Sequence, residues 1–442
     1  MPQDRSMAQW SVIGYSQEVI PMKKGTYRSI SVKQVDRETL REAVKARRVV
    51  VGVDVGKEKQ FAVVTVGGLE PVVRFHWSTL SQTRDVVELL GSLGSAVEVA
   101  LEPSGTYGDV LRWQLDAAGI TVYRVSPKRV HDLAEVFDGV PSLHDQKAPG
   151  VVAKMHWDGM SELWSLPSEA ERTLRAMVDT RSLHREQIQR ALGRLEARLA
   201  RHWPELGSIL DLGSATLLEV LRQIGGPQQV RAWGAEASWF MRRIGGSRLG
   251  QEKIDAVLRS ARESLGVPLV SEELRALQAL TGEIRHQQRR LRAIERQICR
   301  VVERDPEMSW LGATIGKVTA AEMVALGGRP TDYANASSLL KGLGVNLKER
   351  SSGKHKGELK ITKRGPAPVR QGLYMASLRL LQKDMIVRAW YERKVAREAG
   401  RYKKKAVVAV MRKLIKALWW VARGEAFDAS KLFDTKRLGL AG

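Results

Sequence analysis

The sequence predicts a mixed-sheet α/β domain followed by an all-helical remainder that ends in a small basic domain. Three observations carry that expectation. β-Branched runs of strand length crowd the first third, as in "RVVVGVDV" (48–55) and "QFAVVTV" (60–66), and then alternate with helical patterns. From residue 168 the apolar residues recur at helical spacing instead. The last third then collects the densest runs of lysine and arginine.

The elements follow in order. Residues 1–46 are polar and weakly patterned, and read as an N-terminal extension. The runs 48–55 and 60–66 flank the turn-like "GKEK" and predict a hairpin, with "VVRFHW" (72–77) as a third strand. A helix over 81–93 leads to the strand "AVEVAL" (96–101). A helix over 106–118 precedes the strand "TVYRV" (121–125), and "PKRVHDLAEVF" (127–137) is helical. "SEAE" (168–171) is a capping box. Ile188, Leu192, Leu195 and Leu199 form one helical stripe; Leu277, Ile284, Leu291, Ile294, Ile298 and Val301 form another. Two long helices pairing as a coiled coil, or as core helices of a helical domain, both satisfy so few heptads.

Composition narrows the function. A chain of 442 residues is too long for one core, so two or three domains are expected. The formal charge of +23 favours a polyanionic partner. No apolar run approaches the ~20 residues that span a bilayer, and the N-terminus lacks a secretory pattern. The single cysteine, Cys299, excludes an intramolecular disulfide framework and a thiolate zinc cluster. A cytoplasmic nucleic-acid protein is the expectation.

Acids stand where chemistry gathers in such sheets, at the carboxyl ends of strands. Asp54 ends the first strand, Glu102 ends the fourth, and Asp145 precedes a later helix. Carboxylates brought together repel one another unless a cation neutralises them, and Mg²⁺ suits oxygen ligands. Such a site fits phosphodiester chemistry. Two glycine turns, in "LGSATLLEVLRQIGGP" (212–227) and "IGKVTAAEMVALGGRP" (315–330), each open a helix whose amides suit a DNA phosphate. "KERSSGKHKGELKITKRG" (348–365) reads as a basic loop that wraps a partner.

Here a family resemblance becomes specific. "VVVGVDVGKEKQFAVV", "LEPSGTYGDVLRWQLDAAGITVYRVSPKRV" and "HDQKAPGVVA" resemble the RuvC-like domain of the DEDD transposases, a family of insertion-sequence recombinases that includes the pilin-gene invertases. "LGATIGKVTAAEMVALGG", "LLKGLGVNLKERSSGKHKGELKITKRGPAPVRQGLYMAS" and "VVAVMRKLIKALWW" are similar to that family's transposase domain. The resemblance covers roughly residues 48–425. It implies an N-terminal extension (1–46), a ribonuclease-H/RuvC-like domain (47–160), a coiled-coil helical region (161–305) and a small helical transposase domain (306–442).

The resemblance also implies a function. Members cleave and exchange DNA strands through a covalent serine–DNA intermediate, which maps the nucleophile to Ser352, with Ser351 as the fallback. The acids Asp54, Glu102 and Asp145 would hold Mg²⁺. A structured guide RNA would pair with double-stranded target and donor DNA, and a homo-oligomer, dimer or tetramer, would do the work. Lys354, Lys356, Lys360, Lys363 and Arg364 suit the phosphate backbone through charge-assisted hydrogen bonds. Lys128, Arg129, Lys317 and Arg370 are further candidate nucleic-acid contacts, and His355 a phosphate neighbour.

The chain departs from the family at one position. A second acid is expected three residues after Asp145, and Ala148 stands there. If Pro149 takes the first helical position, Ala148 is the N-cap, where Asp is favoured by ~1 kcal/mol. Ala148 therefore reads as the replacement of an aspartate, by deliberate change or by decay, in a chain expected to bind DNA but cleave it poorly. Three other readings compete. One is a RuvC-like nuclease or junction resolvase that uses water as nucleophile, and another a non-catalytic nucleic-acid binder. The third, an actin-fold phosphate binder, lacks a second glycine-rich Asp loop downstream.

Overall fold

A computed structural model describes residues 27–439 apart from 95, 104, 353, 354 and 398, and only the backbone at Arg350–Ser352, His355, Lys356, Glu358, Lys436 and Arg437. The chain divides after Pro167 into two compact units.

The first unit is built on a seven-stranded sheet. Strand β1 (Ile30–Ser31) and helix α1 (Arg37–Val44) precede β2 (Val49–Val55), β3 (Lys59–Val66) and β4 (Glu70–Ser78). Helix α2 (Thr79–Gly91), β5 (Val97–Leu101), α3 (Asp109–Ala117), β6 (Thr121–Arg124), α4 (Pro127–Asp138), α5 (Ala148–Trp157) and β7 (Glu162–Leu163) follow. The spatial order is β1-β4-β3-β2-β5-β6-β7. β2 and β3 form the predicted hairpin, β4 adds the third strand antiparallel to β3, and β5 and β6 extend the sheet in parallel from β2. This is the mixed ribonuclease-H-like sheet the sequence predicts. β2 lies at its centre, which is why "VVVGVDV" is apolar on both faces and buried almost throughout.

Helices cover both faces. Leu40 and Val44 of α1, Val86, Leu89 and Leu90 of α2, and Leu111 and Leu115 of α3 pack on one side with Val51, Val53, Val64 and Phe75. On the other side α5 lies against β2 so closely that a Cβ on Gly52 would fall 2.1 Å from the Pro149 carbonyl oxygen. Only glycine fits there. The extension drawn from the sequence at 1–46 requires one correction. Its residues 30–44 belong to this unit, because the apolar face of α1 covers the sheet and β1 pairs with β4; residues 1–26 lie outside the described residues.

The second unit is helical. Helix α6 (Glu169–His202) is followed by α7 (Leu206–Ile209), α8 (Ala215–Gln223), α9 (Pro227–Trp233), α10 (Ala235–Gly245) and α11 (Gln251–Glu263). Then come α12 (Ser271–Arg304), α13 (Pro306–Ile315), α14 (Lys317–Gly327) and α15 (Ala336–Gly342). A two-stranded hairpin, β8 (Leu347–Ser352) and β9 (His355–Ile361), leads to α16 (Ala367–Lys383), α17 (Met385–Arg397), α18 (Lys403–Val421) and α19 (Thr435–Leu438).

The capping box at the start of α6 is formed as predicted: the Glu171 carboxylate accepts from the Ser168 amide, and Ser168 Oγ accepts from the Glu171 amide. α6 and α12 are 34 residues each and run antiparallel, since Arg181 meets Glu295 while His202 lies by Glu273. Their two ends serve different cores. Leu195, Leu199 and Leu277 pack with α8–α11, whereas Leu174, Ile298 and Val302 pack with α13–α18. The helical middle and the C-terminal segment thus share one pair of long helices within a single compact unit.

Candidate active site

The strand register brings two of the predicted acids together. Val53 and Leu101 are direct partners in the parallel β2–β5 ladder, so Asp54 and Glu102 leave neighbouring strands at the same level, about 5 Å apart in the backbone. Burial raises the pKa of Asp54 to about 6, and the charges of Asp145 and Glu102 add to it. Glu102 is raised as well, by burial. Asp145, exposed in the turn that precedes α5, lies within electrostatic range of Asp54.

Among the described residues, no group of three or more His, Cys, Asp or Glu side chains stands close enough to hold a metal ion. The acids face one another at electrostatic range instead. That arrangement fits an open site, in which one or two carboxylates, water and phosphate oxygens share a divalent cation. The upward pull that burial and like charge exert on the Asp54 pKa is the imbalance that such a cation would relieve.

The turn that carries Asp145 is held from below by a residue the sequence reading passed over. Lys147 is almost wholly buried; its Nζ donates to Asp138 Oδ1 at 2.6 Å, to the Val140 carbonyl at 2.6 Å and to the Ser142 carbonyl at 3.1 Å. Tyr27 donates to Asp138 from the other side, at 2.7 Å. Burial alone would raise the Asp138 pKa, but the hydrogen bonds from Lys147, Tyr27 and the Val140 amide hold it below the usual value. No pattern in "HDQKAPG" announces this, because the partner lies nine residues back across an irregular loop.

Lys147 also corrects the expected cap. It is the N-cap of α5, and Ala148 is the first helical residue, buried against the unit at 4% exposure. The capping argument for an aspartate at 148 therefore does not apply; the family argument is independent of it.

In the second unit, the expected basic loop is instead a hairpin. Leu347 to Arg350 pair with Glu358 to Ile361, and Ser352 pairs with His355 across the tip. The strands form because Leu347, Leu359 and Ile361 alternate with charged residues. Ser352 thus ends β8 beside the turn, while Lys354 lies outside the described residues and Lys356 is described by its backbone alone. Lys360, Lys363 and Arg364 are exposed along β9 and the exit from it.

Three other basic candidates are already engaged. Lys128 pairs with Asp132, one turn along the exposed face of α4 beside Arg129, and Lys317 pairs with Glu303. Arg370 donates to the Gly365 carbonyl at 2.6 Å and braces the hairpin exit. The two glycine turns also differ. Ser214 caps α8 through the Leu217 amide, whereas Gly316 opens α14 with no side-chain cap.

Comparison with known proteins now decides the family. Residues 51–204 match the DEDD transposase model of the IS110 group, and residues 313–392 match the model described as "Transposase IS116/IS110/IS902 family". The chain belongs to this family of insertion-sequence transposases. It is 24% identical over 392 residues to the "Insertion element IS116 uncharacterized 44.8 kDa protein" of Streptomyces clavuligerus, covering 85% of this chain and 95% of that protein. The mixed sheet is the transposase's RuvC-like domain, and the acid cluster sits within that match. The hairpin whose first strand ends at Ser352 sits within the other. None of the described helices is long and apolar enough to cross a membrane.

Proposed function

We propose that this transposase cleaves and exchanges DNA strands through a covalent serine–DNA intermediate. Ser352 is the nucleophile: its oxygen attacks the scissile phosphorus, the phosphodiester transfers to the serine, and the displaced DNA oxygen leaves as a hydroxyl. A second DNA end then reverses the step and frees the serine. Asp54 and Glu102, with Asp145 beside Asp54, would supply one or two carboxylates to a divalent cation, Mg²⁺, whose shell is completed by water and phosphate oxygens and which would polarise a DNA phosphate. Lys360, Lys363 and Arg364 grip the adjoining backbone.

One observation carries the reading: β2 and β5 end side by side with a carboxylate each, under the charge of a third, within a transposase fold. The finer assignments rest on the family pattern at these positions. They include a structured guide RNA that pairs with target and donor DNA, work by an oligomer of this chain, and a nucleoid-associated cytoplasmic location.

The test is a denaturing gel of the protein incubated with labelled element-end DNA and Mg²⁺. A DNA-linked protein band that disappears in Ser352→Ala, and also without Mg²⁺, is the expected result. Free cut ends that persist in Ser352→Ala would instead establish a water nucleophile. For the guide, the nucleic acid retained through purification is sequenced, and a discrete RNA of one length is expected.

A further inference from the structure

The second unit contains a cavity of about 620 Å³ between the end of α13, the end of α16 and the segment after α18. Its walls are apolar, from Trp310, Leu380 and Phe427, and its cations are Arg379 and Lys383. Trp310 is 45% exposed, and its ring lies over the backbone of Gly424, where a Cβ would stand 3.5 Å from Cη2.

A second cavity of about 460 Å³ adjoins the first at the Gly316 turn, and Arg379 and Gly316 line both. Arg379 is anchored through the Ile315 carbonyl at 2.8 Å, so its guanidinium is fixed between the chambers. The second chamber is polar. Arg185 and Lys317 line it, and the buried Glu322 within it is matched by Arg181. The one acid of the first chamber, Glu425, lies 3.7 Å from Lys431.

We propose that this pair of cavities holds one unstacked nucleotide of a DNA strand, its base on Trp310 in the apolar chamber and its phosphate against Arg379 at the neck. An aromatic wall beside cations is the chemistry of single-strand recognition: every base offers a π-face to the ring, and the cations follow the backbone. Strand exchange requires DNA ends to leave the duplex, and a pocket of this kind would keep one from re-annealing. The inference rests on the proposed function, from which it takes that a DNA strand leaves its duplex and becomes the ligand.

The test is fluorescence anisotropy with a labelled single-stranded oligodeoxynucleotide, the same oligomer made abasic, and its RNA counterpart. Trp310→Ala should weaken binding of the base-bearing DNA about tenfold and leave abasic DNA unchanged, and Trp310→Phe should recover most of the loss. Lys383→Glu should weaken both DNA ligands and flatten the salt dependence. Unchanged affinity in Trp310→Ala, or an equal loss with abasic DNA, overturns the pocket. A Trp310-dependent preference for RNA overturns the assignment to DNA. Thermal melting of the tryptophan variants, with the phenylalanine form as the conservative control, separates misfolding from lost stacking. The covalent-adduct assay on Ser352 is independent, so either idea can fail alone.

Discussion

Lys147 Nζ lies 2.6 Å from Asp138 Oδ1, and the two side chains are 1% and 8% exposed. A buried pair of this kind is costly to break, because the surviving charge keeps its burial and loses its partner. The pair closes the loop between α4 and α5, the loop that presents Asp145 to Asp54.

Replacing Lys147 by alanine should therefore destabilise the first unit by about 3 kcal/mol or more. Urea unfolding followed by circular dichroism measures it. The double variant Lys147→Met with Asp138→Leu should recover much of the loss, since no charge is left stranded. A change below ~0.5 kcal/mol in Lys147→Ala would show that the pair is dispensable.

Asp54 makes stability depend on pH in a defined direction. Its pKa is raised to about 6 in the folded chain, by burial first and then by Asp145 and Glu102, so between the ordinary aspartate value and about 6 the folded state holds more protons than the unfolded. Stability from this group is thus full at low pH and is lost as pH rises through about 6. Asp54→Asn should flatten that fall in a series of melting curves. Mg²⁺ should raise the melting temperature above pH 6, where the carboxylate is ionised.

Gly52→Ala tests the seat of α5. The new methyl would fall 2.1 Å from the Pro149 oxygen and 2.8 Å from the Ala153 amide nitrogen, both backbone atoms that cannot step aside. A loss of about 1–3 kcal/mol is expected from overpacking, together with weaker DNA cleavage as α5 and the turn before it shift. Unaltered melting would show that the helix can lift without cost.

Ala148→Asp tests the missing acid. Position 148 is buried at the start of α5, three residues beyond Asp145, so an aspartate there adds a carboxylate to a region already short of cations. Without Mg²⁺ the variant should melt lower than the parent; with Mg²⁺ it should gain more stability than the parent and cleave DNA at least tenfold faster. Equal cleavage by the two forms would show that the alanine costs nothing.

The sequence by itself determined the order of elements and the chemistry available to them. The hairpin, the strands and helices of a mixed sheet and the capping box at Ser168 are all legible, because period, β-branching and cap residues act over a few neighbours. The acids at 54 and 102 could be named because a strand end is a local feature. Tertiary structure decided the rest. Whether a lysine reaches solvent or an aspartate nine residues away depends on loop closure, and no local pattern encodes it; that is why Lys147 went unseen while Lys317 and Arg370 were read as free hands for DNA. The hairpin at 347–361 looks like a loop in the sequence for a related reason. Its residues favour a strand only once a partner strand is laid beside them. The cavity at Trp310 is more remote still, assembled from segments more than 110 positions apart between Trp310 and Phe427, which only the packing of α13, α16 and α18 brings to one wall.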